Sequence, residues 1–128
     1  MTKIVWKEDP DEHDYPAAAA YLSLLANEET LTQVVSRLQS APVRRAKAKD
    51  ILRASRLELL PADDREVAKD ITKIRAGKPL SPVLLVRGEL LHGIALQIAD
   101  GYHRVCASYH EGENSNIPYR MADLDRAT

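Results

Sequence analysis

Phenylalanine is absent from this chain, tryptophan occurs once, and aromatic residues make up only 5% of the 128 positions. A core of stacked rings is therefore excluded, and the interior must be built from Leu, Ile, Val and Ala. There is one cysteine, Cys106, so no internal disulfide can form, as expected in a reducing compartment. No run reaches the ~18 consecutive apolar residues that a membrane helix needs. The opening segment, MTKIVWKEDPDEHD, turns acidic where a secretory signal would be apolar. Nor is there an excess of either charge: 18 Lys and Arg against 19 Asp and Glu leave a formal net charge of −1. That balance gives no global attraction to nucleic acid or to an anionic membrane. These absences lead to the expectation of a soluble cytoplasmic protein with no membrane partner. No internal repeat and no low-complexity stretch is visible. What is present is enough chain for one domain.

The pattern along the chain predicts an α+β domain. Lys3–Trp6 is a short β-like run. A helix is expected through PAAAAYLSLLA, with Pro16 in its opening turn and Asp14 or Tyr15 near the cap. A second helix should begin after Asn27, with Glu28 and Glu29 in its first turn. Its Leu31, Val34, Val35 and Leu38 fall on one helical face. Tyr21, Leu22, Leu24 and Leu25 form an apolar ridge suited to the core or to a dimer contact. After Pro42, Val43–Ala48 reads as a strand and KDIL as a single helical turn. A third helix, capped by Asp63 or Asp64, presents Val67, Ile71 and Ile74 and stops at Gly77. Strands follow at Pro82–Val86 and Ile94–Ala99, separated by a polar turn from Gly88 to Gly93. A fourth helix runs from Tyr102 to Glu111, and NIPYRM closes the pattern as a last strand. Residues 1–42 thus form a strand and helical pair packed on a core of residues 43–128, one compact domain overall.

The chemistry is densest in IADGYHRVCA, residues 98–107. A strand ends, Gly101 intervenes, and a helix begins. The first backbone N–H groups of a helix lack partners within it and face the positive end of its dipole, a combination that suits an anion. Gly101 lets a phosphate oxygen approach the backbone, and the planar fork of Arg104 can hold two such oxygens. His103 can donate a hydrogen bond or transfer a proton. Asp100 can hold Mg²⁺ or orient an attacking group, making it the candidate metal ligand. The same residues also fit a purely structural turn, because Asp-Gly is a common turn dipeptide and an aspartate before a helix is often a cap.

The order of helix, SPVLLV strand, second strand, DGYHR helix and closing NIPYR resembles the ParB/sulfiredoxin-type fold, over roughly Val43 to Ala122. In that superfamily a Gly-x-[His/Arg]-Arg turn opens a helix and binds nucleotide phosphates. The resemblance implies that role for Gly101, Tyr102, His103 and Arg104, with Lys78 and Ser81 in the neighbouring loop IRAGKPLSP. Sulfiredoxins carry a reactive cysteine in this turn where Tyr102 stands here, so sulfiredoxin activity is not expected. Cys106, one turn along, is expected to pack as a small apolar residue. ParB partition proteins add a helix-turn-helix domain beyond this fold, for which this chain shows no counterpart. The Asp-Gly-x-His-Arg spelling is closest to that of the free serine kinases, which move phosphate from a nucleotide to a small hydroxylated molecule. Their catalytic glutamate lies after the first core strand, where KAKDILRASRLELL offers only Asp50 and Glu58.

Arg44, Arg45, Lys47, Lys49, Arg53 and Arg56 form the one strongly basic stretch. Three readings stand side by side: a charged edge strand, a nucleotide contact if Arg53 or Arg56 folds back towards Arg104, or a sequence-independent nucleic-acid contact. His13, His92, His103 and His110, with Cys106, show no zinc-type spacing. The leading expectation is a protein that binds ATP, ADP or CTP with Mg²⁺ through its phosphates, either a small kinase or an NTPase. The alternatives are a non-catalytic module contacting a protein, a second copy of itself or DNA, and a ParB-like nuclease.

Overall fold

The computed structural model describes residues 3–124. The β-like run Lys3–Trp6 contributes a single parallel bridge rather than a strand: Trp6 pairs with Leu80, and the Leu80 N–H donates to the Val5 carbonyl at 2.9 Å. Helix α1 spans Asp14–Leu22. It begins two residues earlier and ends four residues sooner than the sequence suggests. Leu24 and Leu25 are 82% and 59% exposed, so no packing surface draws the helix onward. Asn27 caps α2 (Glu28–Ser40) by accepting the Thr30 N–H at 2.9 Å, and Val34 and Leu38 are buried on its inner face.

β1 (Arg44–Lys47) is followed at once by α3 (Ala48–Ser55). α3 is twice the length expected, because Ala48, Ile51, Leu52 and Ser55 fall on one stripe and all are buried. It ends at Arg56, whose φ of 59° is left-handed. Asp64 caps α4 (Arg65–Arg75), accepting from the Glu66 and Val67 N–H groups at 3.1 Å each. Every residue of β2 (Val83–Val86) is buried. The strand expected from Ile94 is shorter and displaced, as β3 (Gln97–Asp100). Ile94 instead turns back to bond Glu89 across a short 3₁₀ turn at Leu90–His92, and the Leu96 N–H donates to the Ala54 carbonyl at the end of α3. α5 (Tyr102–Glu111) and β4 (Asn116–Ala122) complete the described chain.

The four strands form one mixed sheet in the order β1-β4-β2-β3. β4 runs antiparallel to β1 and parallel to β2, while β3 runs antiparallel to β2. Alternation along β2 sends Val83 and Leu85 to one face, and Leu84 and Val86 to the other. The first face packs against α3, α4 and α5 through residues such as Ile51, Ile71, Ile74 and Val105, with Cys106 wholly buried among them. The second face packs against α1 and α2 through Ala18, Leu22, Val34 and Leu38. The fold is thus α+β, with helices on both faces of the sheet. No helix among the described residues is long and apolar enough to cross a membrane.

Candidate functional site

The chain leaves β3 at Asp100 and enters α5 through Gly101, whose φ is +107°. A Cβ there would stand 2.5 Å from Val83 Cγ1 and 2.9 Å from Arg104 Nη2. Glycine is therefore required twice, for the backbone conformation and for the close packing of β2 and Arg104 against the turn. Gly101 offers no capping side chain, and the first intrahelical bond is made by the Val105 N–H to the Gly101 carbonyl at 3.0 Å. The N–H groups of Tyr102, His103 and Arg104 open the helix with no acceptor inside it.

Arg104 lies along this opening with its side chain only 17% exposed. Its Nη2 donates to Asp100 Oδ2 at 3.0 Å and to the Pro82 carbonyl at 3.4 Å, and stands 3.8 Å from Asp14 Oδ2. Its Nε is buried without a hydrogen-bond partner. Asp14, in the first turn of α1, is itself buried and accepts from Ser81 Oγ at 2.7 Å and from the Asp11 N–H at 3.1 Å. The Ser81 hydroxyl is thus committed to Asp14. On α4, half-buried Asp70 lies within electrostatic reach of Arg104, Lys73 and His103.

Burial raises the Asp100 carboxyl above the ordinary carboxylate range; the neighbouring Arg104 opposes the shift, and Asp14 adds to it. Burial likewise raises Asp70, against the pull of Arg104, Lys73 and His103. Asp11 moves the other way, lowered chiefly by the hydrogen bond from Lys7 Nζ at 2.7 Å. The positive charge of Arg104 therefore sits between the carboxyl groups of Asp14 and Asp100. Beside them, ligand atoms of Asp11, His13 and Asp14 lie within 4.8 Å of one another, a grouping able to take a divalent cation. His13 is 82% exposed, and its ring Nε2 stands 3.5 Å from Asp14 Oδ1.

The structure therefore gathers Asp100, Gly101, His103, Arg104 and Ser81, and adds Asp11, His13, Asp14 and Asp70. Asp70 had a visible signal: it lies between the core positions Val67, Ile71 and Ile74 and so flanks the inward face of α4. Asp14 gave none beyond its place in a helix start. Tyr102 turns away from the helix opening, its hydroxyl donating to the Glu58 carbonyl at 2.5 Å, while its ring packs 5.6 Å from that of His103. The Glu58 side chain is exposed, and Asp50 is exposed and paired with Arg53 at 3.3 Å. Arg53 and Arg56 do not fold back to Arg104: Arg53 is 86% exposed beside Asp50, and Arg56 donates to the Gly93 carbonyl at 2.9 Å. Lys78 is exposed beyond the end of α4 and makes none of the contacts described here. Arg44, Arg45 and Lys47 lie exposed on β1, an edge of the sheet. His92 pairs with Glu89, and His110 stands 2.7 Å from the Leu60 carbonyl.

Comparison of the chain with protein-family models, with curated proteins and with solved structures found no match in any of the three.

Proposed function

We propose that this protein binds a nucleotide through its phosphates at the start of α5, together with Mg²⁺, and acts as a small kinase or NTPase. The observation that carries this reading is the uncapped α5 terminus. Three helix-opening N–H groups without a side-chain cap, a close-packed Gly101 and a partly buried Arg104 meet there. The ParB/sulfiredoxin resemblance of the Gly101–Arg104 turn supports the same assignment.

The surrounding carboxylates decide the form of the ligand. Arg104 is already compensated by Asp100 and approached by Asp14. A bare phosphate would meet net negative charge, so the anion must arrive with a cation. Asp14 and Asp100 supply hard oxygen donors of the type Mg²⁺ takes, and these residues fit the ion. When bound, the ion neutralises charge on the phosphate oxygens. The protein's own groups do the rest. The α5 N–H groups and the Arg104 fork orient the phosphate, and His103 donates to it. Asp100 also orients an acceptor hydroxyl or water for attack. The grouping of Asp11, His13 and Asp14, with Asp100 beside Asp14, favours a second reading, metal-assisted phosphodiester hydrolysis at the same place.

Calorimetric titration with ATP, ADP and CTP, with and without Mg²⁺, tests the proposal. Binding should require Mg²⁺ and should vanish in Arg104→Ala while the circular dichroism spectrum is retained. A wild-type protein that binds none of the three, or an Arg104→Ala protein that binds as before, would overturn it. Turnover of the bound nucleotide separates an enzyme from a sensor, and cleavage of DNA under the same conditions would select the second reading.

A further inference from the structure

β1 and β3 are the two edges of the sheet, and the proposed nucleotide site lies at the β3 edge. At the β1 edge, β4 pairs along one side, from Arg44 opposite Tyr119 to Lys47 opposite Asn116. The described residues make no other hydrogen bond to Arg44–Lys47. The outer row of N–H and C=O groups on this strand is therefore open. Arg44, Arg45 and Lys47 are exposed along it, and Lys49 follows in the first turn of α3. None of these four cations is paired with a carboxylate among the described residues.

The acids near this edge are already occupied or turned aside. Asp50 shares a shallow concavity with Lys47 and Lys49, but it is held by Arg53 at 3.3 Å. Glu111 lines an open groove of about 410 Å³ beside Arg45, but its side chain is 9% exposed and held by Arg75 at 3.0 Å. Glu113 accepts the Lys49 N–H through its backbone carbonyl at 3.0 Å, and its carboxylate lies 3.5 Å from the Tyr109 hydroxyl. The edge thus keeps a surplus of positive charge. A β1 strand from a second copy would bring Arg44, Arg45 and Lys47 against their own kind, which excludes self-pairing. A strand of opposite charge meets no such barrier. We infer that the outer edge of β1 is a docking site for an acidic, extended peptide segment of another protein, added to the sheet as a fifth strand. Its main chain completes the open ladder. Alternation puts Arg45 and Lys47 on one face of β1 and Arg44 on the other, so an acidic side chain finds a cation on either face. The groove beside Arg45 also exposes parts of Ile4 and Trp6, where an apolar side chain of the segment can rest. A nucleic acid would meet the same cations and leave the N–H and C=O row unused.

Fluorescence anisotropy with a labelled peptide of alternating glutamate and valine tests this. The wild-type chain should bind it, and should not bind the peptide with lysine in place of glutamate. Arg45→Glu with Lys47→Glu, both at exposed positions, should keep the circular dichroism spectrum and weaken binding by about tenfold or more. That variant should instead take up the lysine peptide. N-methylation of alternate peptide bonds keeps the charge of the glutamate peptide and removes its ladder donors, and should abolish binding. Amide chemical-shift changes on adding the glutamate peptide should centre on Arg44–Lys47. Four results would overturn the inference: no binding of the glutamate peptide by the wild-type chain up to millimolar concentration, equal binding of the N-methylated peptide, shift changes centred on the α5 opening, or tighter binding of an oligothymidylate than of the peptide.

Discussion

Gly101 carries two constraints at one Cα, and both can be weighed. A left-handed backbone costs a residue with a Cβ about 1–2 kcal/mol, and forcing a methyl against Val83 Cγ1 adds overpacking of about 1–3 kcal/mol. Gly101→Ala should therefore lower unfolding stability in urea by about 2–5 kcal/mol, and a loss below about 0.5 kcal/mol would mean that the turn relaxes. Asp70 makes a prediction of the other kind. Burial raises its carboxyl in the folded state, so the native protein holds that proton more tightly than the unfolded chain does. Its contribution is then favourable at low pH and is lost as pH rises from the ordinary carboxylate range through the raised value. Asp70→Asn should remove that part of the pH dependence and leave the protein at least as stable at neutral pH. A steeper fall of stability with rising pH in the variant would contradict the sign. These residues also mark how far the site could be read in advance. Asp100, Gly101, His103 and Arg104 are contiguous, so the turn is legible from spacing alone. Asp14 reaches Arg104 from another helix, and only tertiary packing brings it there.

Where an element begins is set by chemistry within three or four residues, and those starts were legible. Asn27 and Asp64 each accept N–H groups from the first turn of the helix they open. Asn27→Ala and Asp64→Ala should each cost about 1 kcal/mol in thermal or urea unfolding, and a negligible loss at either position would show that cap to be redundant. Boundaries set by distant partners were not legible. Ile94 to Leu96 have the composition of a strand, yet their backbone bonds are taken by Glu89 and by the end of α3. Residues 48–55 hold a buried stripe at helical spacing, but its value emerges only when α3 finds α5 and the sheet beneath it. The basic run from Arg44 to Arg56 divides in the same way: part lies along an edge strand, and part turns to a groove beside Leu90.

At the scale of the whole molecule, the α+β class follows from the order of helical and strand patterns. The sheet order does not, because the parallel pairing of β2 with β4 joins residues 36 apart in the chain. The helical pair is a necessary cover in this arrangement. Without α1 and α2, Leu84, Val86, Ala99 and Ala122 would face water. Deleting residues 3–41 should therefore abolish cooperative unfolding and produce strong binding of a hydrophobic dye, whereas a sharp transition in the shortened chain would show that the other face suffices. Cys106 gives the same packing a kinetic expression. It is the chain's one thiol, it is fully buried against the inner side of α5, and burial pushes its pKa up. A thiol reagent in native buffer can meet it only when α5 lifts or the domain opens. The rate of labelling thus reads the population of opened molecules without denaturant. A ligand gripping the first turn of the same helix should slow that labelling by the factor with which it stabilises the closed form.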